Sequence, residues 1–344
     1  MDGAAVKKNI LVTGGTGFIG SHACVALIES GYDVLVLDNL CNSEASVIGR
    51  IGQTCGHEPL FIEGDIRDAR LLDKLFAQHR ISAVLHFAGL KAVGESVREP
   101  QKYHDNNVVG TSVLLGAMQN AGVKTIVFSS SATVYGEPAS VPITEDFPLC
   151  ATNPYGQSKL DIENMLADIH GSTPGWNIAR LRYFNPVGAH PSGLIGETPS
   201  GVPENLMPYI TQAVAGLRGE LKVFGDDYDT PDGTGVRDYI HVVDLAEGHI
   251  AALDYLYRQG GMLTVNLGTG RGISVLEMIQ TFESVNDCEV PYRIASRRPG
   301  DIACCWADTR LANERLGWSA RRSLVDMCRD AWRWQCAAGN QEEE

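Results

Sequence analysis

Three residues in the middle of the chain have the types and the spacing of an acid–base centre. Tyr155 and Lys159 lie four residues apart at the start of a predicted helix, so their side chains face one side of it, about a turn from each other. A phenol with a pKa of about 10 is a poor base at neutral pH, but a neighbouring ammonium group favours the phenolate. Ser131 supplies a hydroxyl that can polarise a substrate or relay its proton. Together they predict proton abstraction from a substrate hydroxyl, whereas the pair alone is typical of a surface contact.

A glycine-rich segment near the N-terminus has the pattern of a dinucleotide site. Gly14, Gly17 and Gly20 are spaced three apart, between a predicted strand and a predicted helix. Glycines at these positions allow a tight turn, let the backbone approach a pyrophosphate and let the helix pack closely on the strand. The helix N-terminus then offers free N–H groups and the positive end of its dipole to the phosphates.

The end of the second predicted strand indicates which dinucleotide binds. Asp38 lies about 20 residues beyond the glycines, where a carboxylate accepts hydrogen bonds from the adenosine ribose and repels a 2′-phosphate. No Arg or Lys occurs in the five residues that follow and that we expect beside the adenosine, which are Asn39, Leu40, Cys41, Asn42 and Ser43. We therefore predict NAD rather than NADP, and the oxidised nicotinamide would further favour a phenolate at Tyr155. A solvated turn aspartate is the alternative for Asp38.

Three later strand ends point to the same crevice, because open α/β sheets bind ligands at the carboxyl ends of their strands. They contribute Asp65 and Ile66, then Phe87, Ala88, Gly89 and Lys91, and finally Ser129 with the two serines after it. The small residues of the second group permit close approach of backbone to ligand. Lys91 can offset phosphate charge, or it is an ordinary surface lysine.

A parallel sheet is needed to bring these residues together. Short, almost continuously apolar segments predict strands at 10–13, 34–37, 60–62, 83–87, 125–128 and 177–183. Helical patterns at 17–30, 68–78 and 103–120 alternate with them. The alternation predicts an α/β fold, a Rossmann-like doubly wound parallel sheet in residues 1–185. Glycine and proline become frequent after Asn185, so we predict a smaller C-terminal α/β substrate lobe in 186–344. Within it we predict a loop at 226–235 and a helix at 242–257, and the chain can cross between the two lobes.

Composition excludes several classes of protein. The 344 residues include 28 basic and 42 acidic side chains, a net charge of −14, and no basic cluster of the kind that binds nucleic acid. No apolar run approaches the roughly 20 residues that span a membrane, and the apolar stretch near the N-terminus is too short for the apolar region of a signal peptide. The nine cysteines form no C-x-x-C pair, which predicts free thiols, no metal site and a cytoplasmic location. An anionic substrate would need locally placed Arg or Lys.

Eight stretches of the sequence resemble the extended short-chain dehydrogenase/reductases, and among them the UDP-galactose (UDP-glucose) 4-epimerase family. They are residues 13–20, 38–43, 87–96, 129–136, 155–159, 182–188, 233–244 and 297–308, within a likeness from about residue 9 to 335. The resemblance implies NAD as a tightly bound cofactor that is regenerated in each cycle. It also implies that Tyr155 is the base, that Lys159 orients the nicotinamide ribose and lowers the phenol pKa, and that Ser131 is the hydroxyl partner.

The resemblance further implies the binding residues. NAD would also be contacted by Phe18, Ile19, Asn106 and Phe184. The UDP-sugar would be contacted by Lys91, Ser131, Tyr155, Tyr183, Asn185, Asn205, Leu206, Val223, Phe224, Arg237, Tyr239, Arg298, Asp301 and Cys305. Arg237 and Arg298 supply the local positive charge that the acidic chain otherwise lacks, in a form suited to bidentate phosphate contact. The alternative is that they form structural ion pairs with Asp238 and Asp301.

The implied reaction inverts carbon 4 of a UDP-hexose through a 4-keto intermediate. Related dehydratases place an acidic pair after the serine, whereas Ala132 and Thr133 follow Ser131, which argues against dehydration. A non-catalytic NAD sensor would be expected to lose the tyrosine or the lysine, and both are present. An NAD-dependent epimerase specific for N-acetylated or pentose UDP-sugars remains open.

Cys305 is the position with most bearing on substrate choice. In the family this place beside the sugar holds either a bulky tyrosine or a small residue, and a cysteine leaves room for an N-acetyl group. We therefore expect interconversion of UDP-GlcNAc and UDP-GalNAc as well, the alternative being a merely buried thiol.

The chain departs from the family pattern in small ways. His104 and Val109 stand where Tyr and Asn are expected, without expected consequence for the helix. Ala303 replaces a common proline, which predicts a looser 301–305 loop. The resemblance also implies a homodimer formed by helices at 103–120 and 160–169, although core packing within one chain explains the same apolar stripes.

Overall fold

Seven parallel strands, six of them mostly buried, form the centre of the protein, whose computed structural model describes residues 8–298 and 300–341. All strands of the described residues, including those outside this sheet, are in chain order β1 (Asn9–Thr13), β2 (Asp33–Asp38), β3 (Leu60–Glu63), β4 (Ile81–His86), β5 (Thr125–Ser131), β6 (Asn177–Tyr183), β7 (Asn185–Val187), β8 (Leu221–Phe224), β9 (Val236–Arg237), β10 (Tyr239–His241), β11 (Met262–Leu267), β12 (Ile273–Ser274), β13 (Tyr292–Ala295) and β14 (Cys304–Cys305). The main sheet has the order β3-β2-β1-β4-β5-β6-β11. Its strands all run parallel, so their carboxyl ends lie along one edge.

Helices cover both faces of this sheet. The α-helices of the described residues are α1 (Phe18–Glu29), α2 (Ser46–Cys55), α3 (Ala69–Gln78), α4 (Val93–Arg98), α5 (Pro100–Tyr103), α6 (Gly110–Asn120), α7 (Pro154–Ser172), α8 (Leu206–Val214), α9 (Val242–Gln259), α10 (Val275–Asn286), α11 (Arg310–Leu316) and α12 (Leu324–Gln341). Of these, α8, α10 and α12 belong to a separate core. Alternate residues of β1 show the two-sided burial. Ile10 and Val12 pack with α1 and α9, while Leu11 packs with α3, α6 and α7. Both faces are therefore apolar, which explains the continuous hydrophobic runs in the sequence.

Two helices begin at capping side chains that the sequence supplies. The Asp68 carboxylate accepts hydrogen bonds from the backbone N–H groups of Arg70 and Leu71, which fixes the start of α3. Asn153 does the same for α7 through the N–H of Gly156, with Pro154 at the first helical position. The second cap matters for function, because it sets the position of the residue after Pro154, which is Tyr155.

Three small sheets and a separate apolar core make up the rest of the molecule. The sheets pair β7 with β10, β9 with β12 and β14, and β8 with β13. The core joins α8, α10 and α12 through side chains such as Ile210, Phe282 and Cys328. Residues 242–267, however, return to the main sheet as α9 and β11. The division into two lobes at residue 185 thus stays a prediction, and residues 242–267 are a segment of the second part that packs with the first.

The predicted elements are confirmed except in the 103–120 helix and at some ends. That helix is not regular, because His104–Val109 forms a π-helix between α5 and α6. That His104 and Val109 leave the helix unaffected stays a prediction, because the π segment is not traced to either residue. A π segment admits an extra residue into the turn, and here it turns the buried Asn107 toward the loop after β4. The fourth strand ends at His86, so Phe87 follows it rather than belonging to it. The predicted 226–235 loop contains no helix or strand.

The helices do not have the character of membrane spans. Across 8–298 and 300–341, none combines the length and the apolar composition needed to cross a bilayer.

We predict that Gly14→Ala destabilises the protein by at least about 2 kcal/mol. Gly14 has a φ of +72°, and an added Cβ would lie 2.6 Å from the backbone nitrogen of Ala88. Urea unfolding monitored by circular dichroism measures the change. The control is Gly171→Ala in α7, where nothing lies within 4 Å of an added Cβ and where alanine should change stability by no more than about 1 kcal/mol, in the stabilising direction. Equal stabilities for Gly14→Ala and the wild type would contradict the close approach of the two loops.

Candidate active site

The glycine turn after β1 forms a cradle of bare backbone. Gly14 packs against Ala88 of the loop after β4, so the two loops meet with no side chain between them. Gly20 packs on the carbonyl of Gly14, which draws α1 close to the turn. Phe18 and Ile19 open the first turn of α1 and are partly exposed. This arrangement fits a pyrophosphate, which needs backbone N–H groups at close range.

Asp38 organises the neighbouring loop at the end of β2. Its buried carboxylate accepts hydrogen bonds from the N–H of Thr16 at 3.1 Å, the N–H of Leu40 at 3.0 Å and the hydroxyl of Ser43 at 3.3 Å. Leu40 takes a φ of +56°, an uncommon value for a side chain of this size. Asp38 therefore links the glycine turn to residues 39–43, beside the place where a ribose would lie.

A cation that the sequence analysis did not identify lies near this loop. Arg67 contacts Asp65 with two nitrogens, at 3.0 and 2.8 Å, and Asp105 with a third at 2.6 Å. The Arg67 hydrogen bonds hold the pKa of Asp65 well below its usual range, and Asn39 also donates to that carboxylate. Because two carboxylates neutralise Arg67, it does not reverse the expectation of NAD over NADP. Ile66, the other predicted residue here, is buried in the sheet core.

The loop after β4 is held by a buried asparagine that the sequence analysis also missed. Asn107 accepts a hydrogen bond from the N–H of Leu90 and donates to its carbonyl, at 2.8 and 3.0 Å, and it donates to Ser158 of α7 at 3.1 Å. Asn106 in turn donates to Asn107. This contact fixes Gly89 beside the ammonium of Lys159.

Two predicted cofactor residues have largely apolar surroundings within the protein. The Phe87 ring packs on His249 of α9, with 4.7 Å between ring centroids, at the edge of the sheet core. Phe184 is buried in an apolar cluster with Tyr135, Ile143 and Ala307, and Cys305 packs against this cluster. The side chain of Phe184 therefore shares a cluster with Cys305, the residue expected to affect the choice of sugar.

The three serines that end β5 each fix a different part of the site. The Ser129 carbonyl accepts a hydrogen bond from Lys159 at 2.8 Å, and its hydroxyl shares a hydrogen bond with Tyr183. Ser130 donates to the buried Glu163 of α7. Ser131 accepts from the N–H and the hydroxyl of Thr133.

Ser131, Tyr155 and Lys159 lie together at the carboxyl edge of the sheet, as predicted. The Ser131 hydroxyl lies near enough to the Tyr155 phenol to lower its pKa, and the Lys159 ammonium lies 5.9 Å from the Tyr155 ring centroid. Burial lowers the pKa of Lys159 to about 8, although the carboxylate of Glu163 opposes this. Burial raises the pKa of Tyr155, and the Ser131 hydrogen bond offsets only part of that rise. The protein alone thus shifts the Tyr155 pKa opposite to the direction expected from the Tyr–Lys pattern.

Short strand pairs in the C-terminal half carry several of the predicted sugar-nucleotide residues. Asn185 pairs with Tyr239 between β7 and β10, and Arg237 pairs with Cys305 between β9 and β14. Burial raises the pKa of Tyr239 to about 12, opposed by the nearby charges of Arg237 and Arg298. Both guanidinium groups therefore lie close to one buried phenol. The remaining predicted residues, Asn205, Leu206 and Val223, lie at the start of α8 and in β8.

The two arginines differ in their partners. Arg298 forms an ion pair with Asp301 at 2.9 Å and stacks over the Phe224 ring, 4.6 Å from its centroid. Arg237 forms no ion pair with any carboxylate in the described part of the chain, and it donates to the carbonyl of Val236. Asp238 is instead buried, where it accepts hydrogen bonds from Thr269, Gly270 and Ala307. The ion-pair alternative thus holds for Arg298 and fails for Arg237.

A backbone cradle beside Asp38, together with a Ser–Tyr–Lys centre on the same sheet edge, defines the class of the extended short-chain dehydrogenase/reductases. The family model described as GDP-mannose 4,6 dehydratase matches residues 11–331. The UDP-glucose 4-epimerase of Bacillus subtilis (strain 168) is 59% identical over 331 residues, which are 96% of this chain and 98% of that protein.

Solved structures agree with this match. The UDP-glucose 4-epimerase of Stenotrophomonas maltophila, solved with bound NAD and formylated UDP-arabinopyranose, is 56% identical with a TM-score of 0.96, covering 97% of this chain and 99% of that one. The enzyme of Bifidobacterium longum, in complex with NAD+ and UDP, is 51% identical with a TM-score of 0.93 at the same coverage. The chain belongs to the UDP-glucose 4-epimerase family.

Proposed function

We propose that this protein interconverts UDP-galactose and UDP-glucose by inverting the sugar at carbon 4 through a transient 4-keto intermediate. The observation that carries the proposal is the position of Ser131, Tyr155 and Lys159, which lie together at the sheet edge beside the glycine cradle. Because the site lacks a carboxylate at Ala132 and Thr133, the shared fold with dehydratases does not extend to water elimination.

Tyr155 is the proposed base and acid of the reaction. It accepts the proton of the sugar O4 and returns it after inversion, with the nearby Ser131 hydroxyl as the proposed partner of the phenol. Bound NAD would supply a reversible acceptor for the hydride of carbon 4, so the reaction would involve no net oxidation. Lys159, held by the Ser129 carbonyl, orients the nicotinamide ribose and favours the phenolate by its charge. Gly14, Gly17, Gly20, Asp38 and residues 39–43 hold the rest of the cofactor.

The nucleotide end of the substrate must be held firmly while the sugar turns over. Arg237 and Arg298 are the proposed phosphate ligands. Arg237 has no ion pair with a carboxylate among the described residues, so it can bind a phosphate without first losing such a partner. Phe224 and Tyr239 complete this side of the site, with Asn185, Asn205 and Leu206. The sugar itself faces Tyr155 and Cys305 and is bound loosely enough to rotate about its phosphate link.

Cys305 extends the proposal to N-acetylated substrates. Its thiol is small and largely enclosed, and burial raises its pKa to about 11 although Arg237 opposes the shift. A neutral, compact side chain at this place leaves space where a tyrosine would fill it. We therefore include the interconversion of UDP-GlcNAc and UDP-GalNAc in the proposal.

The proposed assembly is a homodimer. Val93, Val97 and Val109 are exposed on the segment from α4 through the π-helix, and Val97 has 62% of its surface open to solvent. Apolar side chains on consecutive helices are typical of a helix–helix interface. We propose a reducing, cytoplasmic location because all nine cysteines are free thiols.

For the main reaction, we expect the purified protein to convert UDP-galactose to UDP-glucose with no NAD added, since the cofactor stays bound. Tyr155→Phe should lower this rate by about 10²–10⁴-fold because the proton acceptor is lost. Tyr257→Phe, which removes a phenol bonded to Ser82 far from the site, is the matched control and should retain full activity. Chromatography of the nucleotide sugars gives both rates. Unimpaired turnover by Tyr155→Phe would refute the assigned base.

For substrate choice, we expect wild-type turnover of UDP-GlcNAc to exceed a thousandth of the UDP-glucose rate. Cys305→Tyr should abolish the N-acetyl activity while keeping UDP-glucose turnover, because the larger ring fills the space. Cys305→Ser keeps the side chain small and should retain both activities. An unchanged ratio of UDP-GlcNAc to UDP-glucose turnover in Cys305→Tyr would contradict the proposed role of this position. If the wild type acts on N-acetylated or pentose UDP-sugars alone, the alternative of an epimerase specific for those substrates is favoured.

For the assembly, we expect sedimentation velocity at micromolar concentration to show a dimer. A double Val97→Lys, Val109→Lys variant should sediment as a monomer, because it places charges in an apolar interface. Leu217→Lys changes an equally exposed residue, open to solvent over 59% of its surface, in the turn after α8. This control should remain dimeric. A wild-type monomer would rule out the proposed interface.

A further inference from the structure

Glu197 connects the two sides of the crevice. Its carboxylate accepts a hydrogen bond from the ammonium of Lys91 at 2.7 Å and from the amide of Asn205 at 3.3 Å. Lys91 belongs to the loop after β4, beside the glycine cradle, and its ammonium lies 5.9 Å from the Phe18 ring centroid. Asn205 stands at the start of α8, on the sugar-nucleotide side. One oxygen of Glu197 thus contacts a proposed cofactor residue and a proposed substrate residue.

The backbone of Glu197 is fixed from outside the crevice. Trp334 of α12 donates its indole N–H to the Glu197 carbonyl at 3.1 Å. Gly196 packs directly against the Trp334 ring, so no larger residue fits there. The Glu197 side chain is only 11% exposed, in contrast to 52% for Lys91. The carboxylate is therefore a rigid point, and the lysine is the mobile partner that it restrains.

The hydrogen bonds that Asn205 and Lys91 make to Glu197 differ from those expected for stabilising the fold. Asparagine at a helix N-cap normally accepts a hydrogen bond from the first turn, but Asn205 makes no such bond, and its amide contacts Glu197 instead. Lys91 has three N–H donors, and the bond to Glu197 leaves two of them for an anionic ligand. A half-exposed ion pair contributes little to folding stability. These contacts are thus better explained by the ordering of binding groups than by stability.

We propose that Glu197 is a positioning residue, which aims the Lys91 ammonium and the Asn205 amide into the crevice and so couples cofactor binding to sugar-nucleotide binding. The proposal rests on the sites assigned above to Lys91 and Asn205. Glu197 itself touches neither reactant. Without the Glu197 carboxylate, the flexible four-carbon side chain of Lys91 is unrestrained. The ligand must then order this side chain when it binds, which weakens binding.

The test is a double-mutant cycle on the holoenzyme with Glu197→Gln and Lys91→Met. Glu197→Gln should raise the KM for UDP-galactose about tenfold, as expected for loss of a charged hydrogen bond, with kcat within about threefold of wild type. The fraction of NAD retained on gel filtration should fall. In the Lys91→Met background the same substitution should change KM less than about twofold, because glutamine still accepts the hydrogen bond of Asn205 and only the contact with Lys91 depends on the charge. Glu204→Gln changes an exposed carboxylate that accepts a hydrogen bond from the N–H of Gly94, and it should match wild type.

Each other outcome has a definite meaning. If Lys91→Met leaves KM and NAD retention unchanged, the assignment of Lys91 to the site fails and the inference fails with it. If Lys91→Met raises KM but Glu197→Gln does not, or if Glu197→Gln acts equally in both backgrounds, only the role of Glu197 is overturned. A melting temperature for Glu197→Gln clearly below that of the wild type would assign the residue to stability, and this also overturns the proposal. Glu197→Asp, which keeps the charge, should recover part of the wild-type KM.

Discussion

The buried ion pair between Glu163 and Arg182 holds the catalytic helix against the sheet. Arg182 of β6 contacts both oxygens of Glu163 on α7, the shortest contact being 2.6 Å, and Ser130 of β5 donates to the same carboxylate. Glu163 lies one turn beyond Lys159, so the pair fixes the rotation of α7 as well as its depth. Removing one partner of such a pair generally costs about 3–5 kcal/mol, because the other charge is left buried and unpaired.

The same network reaches across to the second half of the chain. Arg182 also donates to Tyr135, whose hydroxyl donates to Asn266 of β11. Asn266 donates its backbone N–H to Glu145 and its amide to the Ile143 carbonyl. The loop that follows Ser131 is therefore tied to the strand that returns from the C-terminal half. Ser131, Tyr155 and Lys159 keep their mutual geometry because the elements that carry them share these buried polar contacts.

Local sequence signals predicted the parts of the site that depend on backbone geometry. The glycine turn, Asp38 and the Tyr155–Lys159 spacing are each encoded within a few residues, next to strands with clear apolar runs. Glu197 and Asn107 carry no such signal, because their partners Lys91 and Leu90 lie 106 and 17 positions away and nothing local marks the contact. The π-helix was missed for the same reason, since helical periodicity does not reveal one inserted residue.

The pairing of Cys305 with Arg237 would link the proposed substrate choice to the proposed phosphate binding. These residues are opposite each other in the β9–β14 pair, and the N–H of Asp238 donates to the carbonyl of Cys305 at 3.0 Å. A side chain at 305 therefore lies at a fixed distance from the group proposed to bind the phosphate. If the sugar passes this position as proposed, bulk there limits the size of a C2 substituent before it limits the rotation of an unsubstituted hexose. A small residue at 305 would then widen specificity while Tyr155 keeps its proposed role.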